Sequence, residues 1–378
     1  MLRRLAQKGE FKLRFLSSAL LICSCLILGA ALNAAQQPAS QPPRQRPRLV
    51  KPEQPTPSPT PADQGASEVS SDDVIRVETD LVNTLFTAID NERHFVTNLR
   101  PDDIRIFENG VPQKIDIFQR ETELPLSLAI VVDISKSQER TLPDEQKAAG
   151  EFLDTVIRAD RDQAAAISFT GKALIEQELT NDKARLRKAI NRLKVEVPPD
   201  NPDSEAEDVP VEQDPRGWSS IWDAVWASTN EVLSHTPERT RRAIILITDG
   251  YDTSSVTKKQ EAIDFAVKNN VTVYGIGITD SEYPVDKGAL RKVAENTGGR
   301  SFFPANDAEL RAAFAQINQE LRSQYLIAYS PQNKARDGTF RPIKIEIVNP
   351  QLRKQKIQLL YRQGYYARRS SSGAVARP

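Results

Sequence analysis

The run Leu126–Val132 is apolar except for Ser127, and it ends at Asp133. A strand without polar alternation is buried on both faces, as a central strand of a parallel sheet is when helices cover it. The segments that follow keep to that pattern. Pro143–Ile157 reads as a helix, Ala164–Phe169 as a strand, Asp182–Leu193 as a helix opened by Thr180-Asn181, and Trp222–Leu233 as a helix. Ala243–Thr248 (strand), Lys258–Lys268 (helix), Val271–Ile278 (strand), Lys287–Glu295 (helix), Arg300–Phe303 (short strand) and Asp307–Leu321 (helix) continue it. This alternation predicts an α/β fold with a doubly wound, mostly parallel sheet over 122–322. Ligands of such sheets bind beyond the C-terminal ends of the strands.

The flanks have a different character. Residues 73–120 read as a small β-unit, with Val74–Val77 and Leu81–Ala88 β-rich and Ile104–Phe107 and Ile115–Phe118 on either side of Glu108-Asn109-Gly110, a hairpin signal. Residues 323–366 are again strand-like, at Tyr325–Tyr329, Arg341–Val348 and Lys356–Tyr361. They either extend the sheet or join 73–120 as one accessory β-rich unit. Residues 36–72 are dominated by Pro, Gln, Ser and charge, a composition that buries no core and predicts an extended spacer. The tail 367–378 reads as loose.

The N-terminus carries five basic side chains and one acidic one in residues 1–14, then the mostly apolar run Phe15–Leu32 and small residues at Ala34-Ala35. That is the pattern of an export signal, cleaved or kept as a membrane anchor over 1–35. The expected location is therefore the periplasm, the cell envelope or outside the cell, with membrane contact only through that segment. Both cysteines, Cys23 and Cys25, lie within the apolar run, so a cleaved product has neither disulfide nor thiolate site. The chain has 51 basic and 51 acidic side chains, which argues against nucleic acid as a partner. His94 and His235 stand alone, without a partner at metal-ligand spacing.

Three segments carry chemistry. Asp133-Ile134-Ser135-Lys136-Ser137 follows the buried strand and places a carboxylate and two hydroxyls at alternating positions. Thr248-Asp249-Gly250 closes a second strand, so Asp249 falls on the same sheet edge as Asp133. Gly217-Trp218-Ser219-Ser220-Ile221-Trp222-Asp223-Ala224 is a loop entering a helix, with Ser219 as its natural N-cap. Hard oxygen donors of this kind suit Mg²⁺, Mn²⁺ or Ca²⁺. Read singly, each segment is equally an ordinary turn or cap.

Together they resemble the metal-ion-dependent adhesion site of von Willebrand factor type A domains. Asp133, Ser135 and Ser137 match its Asp-x-Ser-x-Ser motif, Ser219 stands at its Thr position, and Asp249 matches its Asp-Gly. The flanks Leu99–Gly110, Tyr325–Tyr329 and Gly364–Ala367 are similar to those of exported bacterial proteins related to that family. The resemblance implies a Rossmann-like domain whose metal ligands are Asp133, Ser135, Ser137, Ser219 and Asp249, with Mg²⁺, Mn²⁺ or Ca²⁺ as the ion. It implies a non-catalytic adhesion or interaction module that takes an exposed Asp or Glu of a protein partner at an open metal position. The alternative is a metal-independent assembly protein of an envelope complex. An enzyme reading lacks support in the residues: there is neither an Asp-x-Asp pair at Asp133 nor a Gly-x-Ser-x-Gly elbow.

Two further features stand near the site. Residues 198–217 carry seven carboxylates and read as a solvated insertion, or as an internal competitor for the open metal position. Trp218, Trp222 and Trp226 recur every four residues, the spacing of one helix face and more often of core packing than of a ligand platform.

Overall fold

The computed structural model describes residues 46–50, 81–121, 123–196, 218–278 and 284–369. The export-type segment 1–35, the strand Val74–Val77, the acidic stretch 198–217 and the tail beyond 369 lie outside the described residues. Among the described residues no helix is long and apolar enough to cross a membrane.

In chain order the strands are β1 (Val82–Ile89), β2 (Ile104–Glu108), β3 (Val111–Gln113), β4 (Ile117–Glu121), β5 (Leu126–Asp133), β6 (Gln163–Phe169), β7 (Ala173–Thr180), β8 (Arg241–Thr248), β9 (Val271–Gly277), β10 (Ser301–Phe302), β11 (Gln324–Tyr329), β12 (Phe340–Ile347), β13 (Gln358–Tyr361) and β14 (Gly364–Tyr366). The helices are α1 (Leu142–Val156), α2 (Lys183–Asn191), α3 (Ile221–Ala227), α4 (Lys259–Lys268), α5 (Lys287–Thr297), α6 (Asp307–Arg322) and α7 (Pro350–Lys354).

Six strands form the central sheet in the order β10-β9-β8-β5-β6-β7. All neighbours are parallel except β7, which returns antiparallel to β6. Every residue of β5 is buried, as its unbroken apolar run requires. Its side chains divide by the two-residue period of a strand. Leu128, Ile130 and Val132 pack with Leu153 of α1, Leu186 of α2 and Phe314 of α6. Ala129 and Val131 pack on the other face with Val225 of α3, Ile263 of α4 and Leu290 of α5. The doubly wound, mostly parallel sheet read from the sequence is the one observed. The antiparallel edge strand β7 was not anticipated, because Ala173–Thr180 mixes apolar and charged residues as a half-exposed edge does.

The two flanks form the accessory unit. Two four-stranded antiparallel sheets, β13-β1-β11-β4 and β14-β12-β2-β3, share a core of Phe86, Ile106, Tyr325 and Ile345. Each sheet pairs strands from before and after the central domain: Phe86 of β1 lies opposite Tyr325 of β11, and Ile106 of β2 opposite Ile345 of β12. The Tyr325 ring stacks on Phe86 and Phe118 at 5.0 and 5.3 Å. Its hydroxyl accepts from the Leu99 amide and donates to the Val96 carbonyl. The buried phenol thus ties the loop after β1 to this core.

Four expectations are corrected. The hairpin at Asn109-Gly110 pairs β2 with Val111–Gln113 rather than with Ile115–Phe118. Both turn residues adopt positive φ, and a two-residue turn of that type sends the chain straight back at Val111. Ile117–Glu121 joins the other sheet beside β11. The spacer read over 36–72 is not unstructured throughout. Val50 pairs with β7 through hydrogen bonds of 3.0 Å each to Ala173 and Ile175, Leu49 is buried, and Arg46 lies over Trp226. The tail is held as far as Arg369, with Ala367 buried and its amide bonded to the Thr339 carbonyl. The tryptophans do not share one face: Trp222 and Trp226 are core residues, whereas Trp218 precedes α3 and is 51% exposed.

Candidate functional site

Register places Val132 of β5 beside Ile247 of β8, so Asp133 and the Thr248-Asp249 pair leave the sheet together at its C-terminal edge. Asp133 is fully buried. Its Oδ1 accepts the Ser135 amide at 2.9 Å. Its Oδ2 accepts the Thr248 hydroxyl at 2.6 Å and the Ser219 hydroxyl at 3.2 Å. The Ser135 and Ser137 hydroxyls lie 3.2 Å apart. Gln138 donates to Ser137 at 3.1 Å, and Thr141 donates to Gln138. All five residues singled out in the sequence, Asp133, Ser135, Ser137, Ser219 and Asp249, are buried at this edge.

Burial pushes the Asp133 carboxyl up to about 6, and the neighbouring Asp249 carboxylate pushes the same way; the Ser135 and Thr248 hydrogen bonds oppose them. Two carboxylates held together out of water disfavour each other's charge, and a cation beside them removes that penalty. Two carboxylates and three neutral hydroxyls make a donor set of hard oxygens, suited to Mg²⁺, Mn²⁺ or Ca²⁺ rather than to softer ions. Among the described residues no three His, Cys, Asp or Glu side chains cluster as a metal site, so a cation held here would need the hydroxyls as ligands. Lys136 is exposed, while Ser135 and Ser137 on either side of it are buried.

Ser219 is not the helix cap that its position suggested. Its hydroxyl donates to Asp133, and Ser220 precedes α3 without capping it. A remote loop caps the helix instead. Asp252 accepts the Ile221 amide at 2.9 Å, and Ser255 accepts those of Trp222 and Asp223 at 3.0 and 3.2 Å. In return the Asp223 carboxylate accepts the amides of Val256 and Thr257 at 2.9 and 2.7 Å. Thr253 bonds both the amide and the carbonyl of Ser219. Ser219 is therefore positioned by residues 252–257, which follow Asp249 in the chain. Hydrogen bonds to a charged acceptor contribute about 1.5–3 kcal/mol each. Asp223→Ala is expected to lower stability by about 3 kcal/mol in chemical denaturation and to speed hydrogen exchange at Val256 and Thr257; unchanged exchange there would refute this role.

Sequence reading missed Thr248 as a partner of Asp133, and it missed Glu145. Glu145 is buried on α1, and burial pushes its carboxyl up to about 8, with Asp133 and Asp249 contributing and Thr141 opposing. Glu145 has a signal in retrospect: it falls on the buried stripe of α1 with Leu142, Ala149 and Phe152. Trp218 stands at the rim against Gly171, where an added Cβ would meet the indole at 3.2 Å. His94 pairs with Asp90 and Glu92 on the accessory unit, and His235 is an exposed neighbour of Ser234, so neither belongs to the site.

The family model described as the von Willebrand factor type A domain matches residues 127–318. No curated protein matches the chain. Among solved structures, an aerotolerance-related membrane protein from Bacteroides fragilis is 18% identical over 52% of this chain and 98% of that one, with a TM-score of 0.40. A von Willebrand factor type A protein from Catenulispora acidiphila is 15% identical over 74% of this chain and 76% of that one, with a TM-score of 0.44. Proximal thread matrix protein 1 from the mussel byssus, in a form with a zinc-occupied MIDAS motif, is 15% identical over 56% of this chain and 49% of that one, with a TM-score of 0.42. The family match spans just over half of the chain and contains every residue of the site, and the chain belongs to the von Willebrand factor type A domain family.

Proposed function

We propose that this protein is a non-catalytic binding module that takes a carboxylate of a protein partner through a divalent cation. Type A domains are protein-interaction modules, and the finer reading rests on one observation. Asp133, Ser135, Ser137, Ser219 and Asp249 come from three separate segments and are buried together at the C-terminal edge of β5 and β8. In this reading the two aspartates and three serine hydroxyls hold Mg²⁺, with Mn²⁺ or Ca²⁺ as substitutes. The cation supplies a positive centre that keeps both carboxylates ionised and attracts an Asp or Glu from the partner. The N-terminal segment 1–35 supports placement at the cell envelope or outside the cell.

One observation favours the metal-independent alternative. Asp133 accepts three hydrogen bonds, from the Ser135 amide and the Thr248 and Ser219 hydroxyls, which tie the edge together through protein groups. Calorimetric titration of Mg²⁺ and Mn²⁺ separates the two readings. The first expects saturable binding near one ion per chain in the wild type and none in Asp133→Ala. Equal, weak heats in both proteins would leave only the assembly role.

A further inference from the structure

At the opposite end of the sheet lies a cavity of about 600 Å³, within the range of roughly 300–1,000 Å³ typical of small-molecule sites. One wall is the N-terminal ends of β8 and β9, at Arg242 and Thr272; the other is the accessory unit, at Asn83, Arg341 and Arg362. The described lining residues include nine arginines and lysines against two glutamates, Glu121 and Glu238.

Arg242 and Arg362 are held by neutral oxygens, which fix a guanidinium without cancelling its charge. Arg242 donates to the carbonyls of Thr236 and Asn269 at 2.7 and 3.0 Å and to the Thr236 hydroxyl at 2.9 Å. Arg362 donates to the Asn83 carbonyl at 2.7 Å and to the Asn270 side chain. Arg341 is buried and pairs with Glu108 at 3.4 Å and with Asp337 at 3.9 Å, and the Glu108 carboxylate is shared with the hydroxyls of Tyr329 and Tyr365. The Nε atoms of Arg341 and Arg362 are buried without a hydrogen-bond partner. Burial pulls Arg242 below the usual guanidinium range and Arg362 down to about 10, as expected for buried positive charge with little compensation.

A walled cavity of one sign of charge concentrates counter-ions, and guanidinium groups match phosphate and carboxylate oxygens in geometry. The structure assigns to this cavity a binding site for a small multivalent oxyanion, an organic phosphate or polycarboxylate. It is separate from the cation site in place and in charge.

The test is calorimetric titration of pyrophosphate and of citrate into the full chain, in divalent-free buffer at about 0.15 M salt, where weak surface pairing is screened. One saturable site with a Kd below roughly 1 mM is expected for at least one anion, weakened about tenfold or more in the Arg239→Glu/Lys268→Glu double variant. Both side chains are exposed and line the cavity, so the variant keeps its fold, which a circular dichroism melt verifies. Tighter pyrophosphate binding marks a phosphate ligand, and tighter citrate binding a polycarboxylate. Lys136→Glu, which reverses an exposed basic side chain at the other end of the sheet, leaves the affinity unchanged; loss of binding in that variant would place the anion at that end and overturn the assignment. No saturable binding of either anion, or equal affinity in the double variant, would overturn it as well.

Discussion

Asp133→Asn is expected to make the metal-free protein more stable at pH 8 and to abolish the stabilisation by Mg²⁺ that the proposed cation site predicts for the wild type. Asp133 is raised from an ordinary value of 3.8 to about 6, chiefly by burial and then by Asp249. A raised carboxyl contributes stability below about pH 4 and loses it as pH rises through 6. Its ionised form at pH 8 therefore works against folding, by on the order of 3 kcal/mol. Asparagine keeps the side-chain volume, accepts the Ser135 amide and carries no charge. For a domain of this size about 1 kcal/mol moves the melting temperature by roughly 2–4 °C, so the metal-free variant should melt several degrees higher. Millimolar Mg²⁺ should raise the wild-type midpoint and leave the variant's unmoved. A variant that melts lower than the wild type without metal, or that still responds to Mg²⁺, would show that Asp133 is structural and not the centre of a cation site.

That pair of outcomes separates what the sequence makes legible from what it does not. Asp133 could be placed because β5 is apolar along its whole length, so its first polar residue marks the sheet edge. Asp249 could be placed because β8 ends in the same manner. The partnership of the two is a matter of strand order. Nothing local says that β8 lies beside β5, and only the regularity of doubly wound sheets supplies it. The accessory unit lies beyond local reading for the same reason: β1 pairs with β11 across more than two hundred residues.

Loop chemistry was the least legible part. Ser219 sits where a helix cap belongs, and a cap is the local expectation. The cap instead comes from Asp252 and Ser255, more than thirty residues on, which frees Ser219 to face Asp133. The basic cavity is equally hidden. Its arginines are scattered from β8 to the C-terminal strands, and a chain with 51 charges of each sign shows no basic surplus.

Glu145 leads to the second large effect, a fall in metal-free stability from pH 5 to pH 8. Three buried carboxyls are raised: Asp133 to about 6, Glu320 to about 7 and Glu145 to about 8. For each the largest cause is burial. Arg300, 2.9 Å from Glu320, opposes the shift there. Between pH 4.5 and 8 the unfolded chain has released these protons and the folded chain still holds part of them, so each rise in pH favours unfolding. The carboxyls that folding lowers, such as Asp162 beside Arg158, titrate below this window and have made their contribution by pH 5. Glu145 has the largest share, and Glu145→Gln should stabilise the protein at pH 8 by on the order of 3 kcal/mol, allowing for relaxation and water penetration around a buried charge. At pH 5, where the folded Glu145 keeps its proton and the unfolded one has mostly lost it, the variant should gain only about 1 kcal/mol. Mg²⁺ should flatten the wild-type profile, since a cation at Asp133 and Asp249 lowers their pKa values and offsets part of Glu145's penalty through the same field. Thermal melts at half-unit steps from pH 5 to pH 8.5, with and without Mg²⁺, measure all of these. A profile that is flat without metal, or that rises with pH, would mean that the three carboxyls ionise as freely in the folded protein as in water.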